Sequence, residues 1–341
     1  MRALLATIGG ILSLVVLSAQ STPALGPAAI DAAVRSVTAV FAAEYFDIPL
    51  SKTAAATINS RLAAGRYAGA TSPADLAQRL TRDFFELTKD KHIFVAVPRP
   101  RAPGGGGGSS EKRDVPTTAG FRRTEIIAGN VGVFDLAFFM RPIEHREALA
   151  DAMEKLQPAD ALIIDMRENG GGSPGTVALL IGYLVDAPVQ LFDIVRRDGS
   201  REAYATEATP PATRNGRRPI YVLTSSRTFS GGEGLPFLLQ EMKRAVVIGE
   251  VTAGAANPGR PYPAGNLLEI TIPNAHIVSA IAKSNWEGRG VTPDVAAPAA
   301  DAFRIAHLRA IDDLITATKD VAHREELTRI RATLEQPLIK H

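Results

Sequence analysis

From residue 121 onward, short apolar runs alternate with segments of helical periodicity. This alternation restricts the possible folds of the chain more than any other feature of the sequence. The runs are rich in β-branched residues and almost unbroken, as strands buried on both faces should be. They lie at residues 131–136, 162–166, 220–224 and 246–249. Between them, an apolar stripe from Ala148 to Leu156 and a run starting at Pro174 have helical character. The pattern predicts an α/β core.

The chain upstream of this core has a different pattern. Apolar residues recur there at the three- and four-residue steps of one helix face: Ile30, Val34, Val37, Phe41 and Tyr45. Residues 72–75 read Ser-Pro-Ala-Asp, which combines a capping oxygen, a proline in the first turn and an acid near the helix N-terminus. This part of the chain is therefore predicted to be a small helical bundle.

The 341 residues exceed the usual length of one domain, and the patterns divide them. We predict an N-terminal helical domain at 27–97, a flexible linker at 98–120, an α/β core at 121–310 and C-terminal helices at 311–341. The linker is rich in Gly, Pro and Ser. Its five consecutive glycines lack the GK[ST] ending of a phosphate-binding loop, so they favour a linker.

The first 24 residues have the pattern of an export signal. Met1 and Arg2 precede an apolar stretch from Ala3 to Leu17, and small residues follow up to Ala24. The apolar stretch is short for a membrane span, although an uncleaved anchor is the alternative. We expect a cleaved signal peptide at 1–24 and a periplasmic or secreted protein without a stable membrane anchor.

Composition excludes several kinds of chemistry. The chain has no cysteine, which rules out disulfides, a thiol nucleophile, thiolate metal sites and a lipid-modified cysteine. Its net charge of +2 and the lack of a basic run interleaved with aromatics argue against a nucleic-acid partner. No metal site and no cofactor are predicted, and the chemistry must come from oxygen or imidazole groups.

Two loops follow predicted strands and precede predicted helices, which is where α/β sheets bind ligands. The first runs from Asp165 to Ser173 and contains three consecutive glycines. Glycines there allow backbone N–H groups to approach a ligand and face negative charge. The alternative is a tight turn that needs glycine for its geometry alone.

The second loop carries Ser230, which is followed by Gly231 and Gly232 and by an apolar helix. A hydroxyl at a helix N-terminus is placed where the dipole favours an alkoxide or oxyanion. The arrangement resembles a nucleophile elbow, although Thr228 stands where G-x-S-x-G has its first glycine. The alternative is an ordinary N-cap, in which Ser230 bonds to the N–H near Glu233.

A serine nucleophile needs a base, and the six histidines can be sorted. His92 lies where the helical bundle gives way to an apolar run, at a natural cleft edge, whereas the others lie in helical, strand-like or terminal surroundings. A third group must orient the imidazole. Either Glu287 or Asp294 could do so, and their spacing in the sequence does not choose between them.

The motifs together resemble the tail-specific, or carboxyl-terminal processing, serine protease family. The closer likeness is to its branch akin to the tricorn core protease and the interphotoreceptor retinoid-binding protein. The likeness covers about residues 28–310, and six motifs occur in family order: Asp90-Lys-His92, Gly129-Asn-Val-Gly132, Leu162 to Gly172, Thr224 to Glu233, Gly249 to Pro258 and Asn285 to Asp294.

The resemblance implies a ClpP/crotonase-like spiral αβ core. It also implies that Ser230 is the nucleophile, His92 the general base and Glu287 the orienting carboxylate. Backbone N–H groups of Gly231 and Gly171 are then expected to form the oxyanion hole.

The chain also departs from the family. Ala255 stands where the other branch has the lysine of its Ser/Lys dyad, and Lys91 stands beside His92, where tricorn-like sites have a serine. A cation there would lower the pKa of the imidazole if it pointed inward, and would have no effect if it pointed to solvent. The residues between His92 and Phe121 are too few for a PDZ domain, so we expect none.

These observations favour an exported serine endopeptidase that acts on peptide or protein substrates through an acyl-enzyme. The alternative is a non-catalytic binder of apolar ligands or peptide tails on the same fold. A crotonase-like acyl-CoA enzyme would share the core, but no nucleotide-binding signature supports it. A homo-oligomer is left open by the sequence.

Overall fold

The computed structural model describes residues 25–98, 120–207 and 217–335, and it confirms the predicted α/β class. The predicted signal peptide at 1–24 and nearly all of the predicted linker lie outside the described residues. The expected lack of a PDZ domain depends on that linker and stays a prediction. Among the residues that are described, no helix has both the length and the apolar character that a bilayer crossing requires.

Three helices form the N-terminal unit: α1 (Pro27–Glu44), α2 (Ile48–Ala63) and α3 (Pro73–Thr88). The side chain of Ser72 caps α3 by accepting the N–H of Asp75 at 3.2 Å. The apolar faces of the three helices close a core of aliphatic and aromatic side chains; its members include Val34, Val37, Phe41, Ile58, Leu80 and Phe84.

The main sheet has six strands in the order β12-β8-β7-β4-β3-β2. They are β2 (Phe121–Ile127), β3 (Val131–Leu136), β4 (Ala161–Asp165), β7 (Ile220–Thr224), β8 (Val246–Gly249) and β12 (Val295–Ala296). All neighbours are parallel except the edge pair β2 and β3. The carboxyl ends of the parallel strands therefore share one edge of the sheet, where the loops after β4 and β7 emerge.

Helices cover both faces of this sheet. One face packs on α4 (Pro142–Lys155), α5 (Pro174–Leu184) and α6 (Gly231–Glu241). The other packs on α7 (Ala299–Ala317) and α8 (Val321–Glu335). Strands buried on both faces explain the unbroken apolar runs of the sequence. The predicted boundary at residue 310 falls inside α7, because its apolar face continues past that point to Ile311 and Leu314.

Two smaller sheets complete the fold. One has the order β11-β5-β6 and consists of β5 (Gln190–Arg196), β6 (Arg201–Ala205) and β11 (Ala275–Ser279). The other has the order β1-β10-β9 and consists of β1 (Phe94–Ala96), β9 (Gly259–Ala264) and β10 (Leu268–Pro273).

Pairing of β1 with β10 joins the helical unit to the rest of the chain. The core of the three N-terminal helices also includes Leu268, Ile270 and Ile272 of β10. The segment between α3 and β1, which contains His92, is thus held by packing on one side and by a strand pair on the other. The division into separate domains stays a prediction.

Candidate active site

Ser230 occupies a strained backbone position between β7 and α6. Its φ of 54° and ψ of −124° are rare for a residue with a side chain, and such conformations persist only where the surroundings enforce them. The glycine loop after β4 packs directly against it, since a Cβ added at Gly171 would lie 2.7 Å from the Cβ of Ser230. Glycine at 171 therefore lets the two loops approach each other.

The hydroxyl of Ser230 does not cap the helix that it precedes. Its Oγ lies 3.1 Å from Nε2 of His92, a residue 138 positions earlier in the chain. This distance is within hydrogen-bond reach, and it favours the nucleophile interpretation of Ser230 over the N-cap interpretation.

Asp90 holds the segment that presents His92. Its Oδ1 accepts the backbone N–H of His92 at 2.9 Å, and its Oδ2 accepts the hydroxyl of Tyr45 and the Nδ2–H of Asn257, each at 3.3 Å. Asp90 is 2% exposed, and burial raises the pKa of its carboxyl group.

The imidazole of His92 lies in a nearly closed environment, with 12% of its side chain exposed. Its ring packs on the ring of Phe229 at a centroid distance of 4.9 Å. Burial lowers the pKa of His92 to about 4, so the ring is neutral at physiological pH and can accept a proton.

Glu287 lies on the loop between β11 and β12 and reaches the same cluster. One of its oxygens, Oε2, accepts the backbone N–H of Ala256 at 2.6 Å and that of Asn257 at 3.1 Å. Burial, and next the charge of Asp90, raise the pKa of Glu287 to about 7. A nitrogen of His92 and one carboxylate oxygen from each acid lie within 4.8 Å of one another.

Asp294, the other acid proposed from the sequence, is engaged elsewhere. Its two oxygens accept the Nε2–H of Gln240 at 2.9 Å and the backbone N–H of Val247 at 2.8 Å. It thus ties the loop before β12 to α6 and β8, and Glu287 is the one of the two acids that the fold brings to His92.

Glu233 has a role that the sequence reasoning did not assign. The side chain is fully buried and accepts four hydrogen bonds: from the backbone N–H groups of Ser230, Gly254 and Ala255 and from the hydroxyl of Thr252. Burial raises its pKa, and the four hydrogen bonds act in the opposite direction. The Ser-x-x-Glu spacing of a capping box was the available signal, but it points only to Ser230.

The backbone donors near Ser230 differ in availability. The N–H of Gly171 donates to Oδ1 of Asn169 at 2.8 Å. The N–H groups of Gly172 and Gly231 have no hydrogen-bond partner in the described parts of the chain. These two residues are neighbours, because a Cβ added at Gly231 would lie 3.2 Å from the nitrogen of Gly172.

Lys91 is exposed and forms a hydrogen bond with a backbone acceptor. Its Nζ donates to the carbonyl oxygen of Ala253 on the loop that follows β8. The same loop binds Glu233 through Thr252 and Gly254. Lys91 therefore links the segment that carries His92 to the loop that supports Ser230.

Comparison with known proteins places these residues in a family context. Residues 130–297 match the sequence model of Peptidase family S41. That range includes Ser230, Glu287 and both loops after β4 and β7, whereas His92 lies before it.

Two curated relatives illustrate the likeness. The chain is 25% identical over 192 residues to the carboxy-terminal processing protease CtpA of Bacillus subtilis, covering 55% of this chain and 39% of CtpA. It is 30% identical over 128 residues to the tail-specific protease of Haemophilus influenzae, covering 37% of this chain and 17% of that protein. The matched segments thus span less than half the length of these relatives.

Solved structures share the fold. A lipoprotein from Streptococcus agalactiae is similar with a TM-score of 0.53 and 12% identity, over 89% of this chain and all of that one. A putative peptidase from Parabacteroides merdae is similar with a TM-score of 0.50 and 16% identity, over 66% of this chain and 76% of that one. Through the core at residues 130–297 and its curated relatives, this chain belongs to peptidase family S41, the family of the carboxy-terminal processing proteases.

Proposed function

We propose that the protein is a serine peptidase in which Ser230 is the nucleophile, His92 the general base and Glu287 the orienting carboxylate. The observation that carries the proposal is the 3.1 Å separation between Oγ of Ser230 and Nε2 of His92. The strained backbone at Ser230 supports it, since strain of this kind concentrates at functional positions.

The reaction would proceed by acyl transfer. Oγ of Ser230 attacks the carbonyl carbon of a peptide bond while Nε2 of His92 accepts the hydroxyl proton. The imidazolium then returns this proton to the leaving amine, and water hydrolyses the acyl-enzyme by the same steps. A neutral, buried His92 is in the protonation state that the first step requires.

Glu287 would stabilise the imidazolium that forms during attack. Nδ1 of His92 and Oε1 of Glu287 are both buried and both lack a hydrogen-bond partner in the described ranges. A small approach of the two side chains pairs these atoms, and catalytic hydrogen bonds are often longer before substrate binds. The two backbone N–H groups on Oε2 leave Oε1 free for this contact.

The oxyanion of the tetrahedral intermediate would be bound by backbone N–H groups. Gly231 stays a candidate, as the resemblance implied. We propose Gly172 as the second donor in place of Gly171, because the N–H of Gly171 is already donated to Asn169.

The substrates would be peptides or proteins, in keeping with the names of the curated relatives. We propose that the chain is exported by the signal at residues 1–24 and acts in the periplasm or outside the cell. The binder alternative loses support, because a non-catalytic site has no need for a serine and a neutral imidazole within hydrogen-bond distance.

The proposal is tested with a fluorophosphonate probe, which labels activated serines, and with a peptide-cleavage assay. Wild-type protein should be labelled and should cleave peptides, and Ser230→Ala should lose both, with a loss in kcat of about 10³-fold or more. Ser226→Ala changes an exposed serine in the same loop and is the matched control. A Ser230→Ala protein that cleaves peptides at the wild-type rate would show the proposal to be wrong.

A further inference from the structure

We propose that Asp90, His92 and Glu287 form a binding site for Zn²⁺, and that an ion bound there switches off the Ser230–His92 pair. One nitrogen or oxygen atom from each residue lies within 4.8 Å of the others. Nδ1 of the His92 ring lies 3.9 Å from Oδ1 of Asp90. Imidazole nitrogens and carboxylate oxygens are both ligands that zinc binds in proteins.

Buried polar atoms without a hydrogen-bond partner also support ion binding at this cluster. Nδ1 of His92, Oε1 of Glu287 and Oδ1 of Asn257 are buried and accept or donate no hydrogen bond among the residues described. Buried polar atoms usually have a partner, so three on adjoining side chains call for an explanation. Asn257 is 3% exposed, and its amide Nδ2–H and backbone N–H already bind Asp90 and Glu287.

The charge of the cluster also favours a cation. Two acids lie together in a poorly solvated site, and neither forms an ion pair with a lysine or arginine in the described chain. Lys91, the nearest cation in sequence, donates instead to the carbonyl of Ala253. Like charges in a site of low dielectric repel each other strongly, and a divalent ion would remove that cost.

The three ligand atoms would need to move only slightly closer together to bind zinc. Zinc bonds to nitrogen and oxygen of about 2.0–2.2 Å at tetrahedral angles place neighbouring ligand atoms about 3.3–3.6 Å apart. The separations of up to 4.8 Å therefore have to shorten by about 1.5 Å at most. Water would supply the fourth ligand, since three protein ligands leave one tetrahedral position open.

Occupancy of the site has a direct chemical consequence. A metal ion on Nδ1 leaves the hydrogen of the neutral imidazole on Nε2. Nε2 can then donate to Oγ of Ser230 but cannot accept its proton, so zinc and acyl transfer exclude each other. This inhibitory step rests on the proposed function, whereas zinc binding itself does not.

Zinc binding is measured by calorimetry on the purified full chain. Ser230→Ala should bind one ion as tightly as wild type, because the serine is not a ligand. Asp90→Asn and Glu287→Gln should each weaken binding by about tenfold or more. His323→Gln is the control, since it removes a half-buried histidine with a carboxylate at 3.7 Å, and it should leave the affinity unchanged.

X-ray absorption at the zinc edge gives a second readout, which does not depend on how well the variants fold. The expected spectrum of the wild-type complex shows one imidazole and two or three oxygen ligands at about 2.0–2.2 Å. A spectrum without an imidazole ligand would contradict the proposed zinc site. Wild-type affinity for zinc in both acid variants would contradict it as well.

Fluorophosphonate labelling separates the two proposals. Saturating Zn²⁺ should suppress labelling of Ser230, and a chelator should restore it. Labelling that continues at full rate with zinc bound overturns the inhibition. A protein that binds zinc as expected but is never labelled contradicts the proposed peptidase activity and leaves the metal site supported.

Discussion

The carboxylate of Glu233 accepts the backbone N–H of Ser230 at 2.8 Å, from one turn further along the same helix. It also accepts the hydroxyl of Thr252 and the backbone N–H groups of Gly254 and Ala255. One buried side chain therefore holds the strained backbone of Ser230 and fixes the loop after β8 against it. This relationship makes Glu233 a positioning residue with a measurable role.

Glu233→Gln should both destabilise the protein and slow labelling of Ser230. An amide cannot accept four hydrogen bonds, and its NH₂ group would face two of the donors. The free energy of unfolding should fall by about 2–4 kcal/mol, measured by urea denaturation. Glu241→Gln, on the same helix, changes a side chain that forms no hydrogen bond with the rest of the described chain; it is the control and should behave as wild type. If Glu233→Gln has the stability and the labelling rate of the wild type, Glu233 does not position Ser230.

The pH dependence of kcat/KM should follow the ionisation of Glu287. Its pKa of about 7 means that the carboxylate which stabilises the imidazolium is lost as the pH falls below 7. His92, with a pKa of about 4, is already neutral across that range. The rate should therefore rise through about pH 7 and level off above it. In Glu287→Gln the rise in kcat/KM near pH 7 should disappear, and the value on the plateau should be lower. A rise near pH 7 that persists in the variant would contradict the role assigned to Glu287.

Glu287→Gln should also stabilise the folded protein at high pH. The pKa of Glu287 is raised from 4.5 to about 7 by folding, so its stabilising contribution is complete below pH 4.5 and is lost as the pH rises through 7. Glutamine does not ionise, and its oxygen can accept the N–H groups of Ala256 and Asn257. Thermal unfolding should give a higher Tm for the variant at pH 8 and nearly equal values at pH 5. A lower Tm at pH 8 would refute this.

Lys91→Met should have only a modest effect. Lys91 is exposed and makes a single hydrogen bond, to Ala253, so its loss should cost about 0.5–1.5 kcal/mol of stability. The labelling rate of Ser230 should stay within about tenfold of wild type, because no contact joins Lys91 to the reacting atoms in the described chain. A loss of several orders of magnitude would show that Lys91 belongs to the catalytic machinery.

Much of the core could be predicted because buried parallel strands have a strong local signal. The apolar runs at 131–136, 220–224 and 246–249 coincide with β3, β7 and β8. The two small sheets had a weaker signal, since most of their strands are partly exposed, and some of their pairings join distant segments, as β1 and β10 show. The use of β10 to complete the core of the N-terminal helices could not be read from either segment alone.

The sequence by itself determined the residue types at the candidate site. The relevant patterns are local: a serine before two glycines, a histidine after a helix and an acid on a late loop. Such patterns can be recognised because turns, helix caps and strand ends each require particular residue types.

Only the tertiary structure decided which of these residues meet. It brings Glu287 rather than Asp294 to His92, commits the N–H of Gly171 to Asn169, and turns Glu233 into a shared acceptor for two loops. The physical reason is that hydrogen-bond partners and burial depend on contacts between segments far apart in the chain, such as the 138 residues between His92 and Ser230.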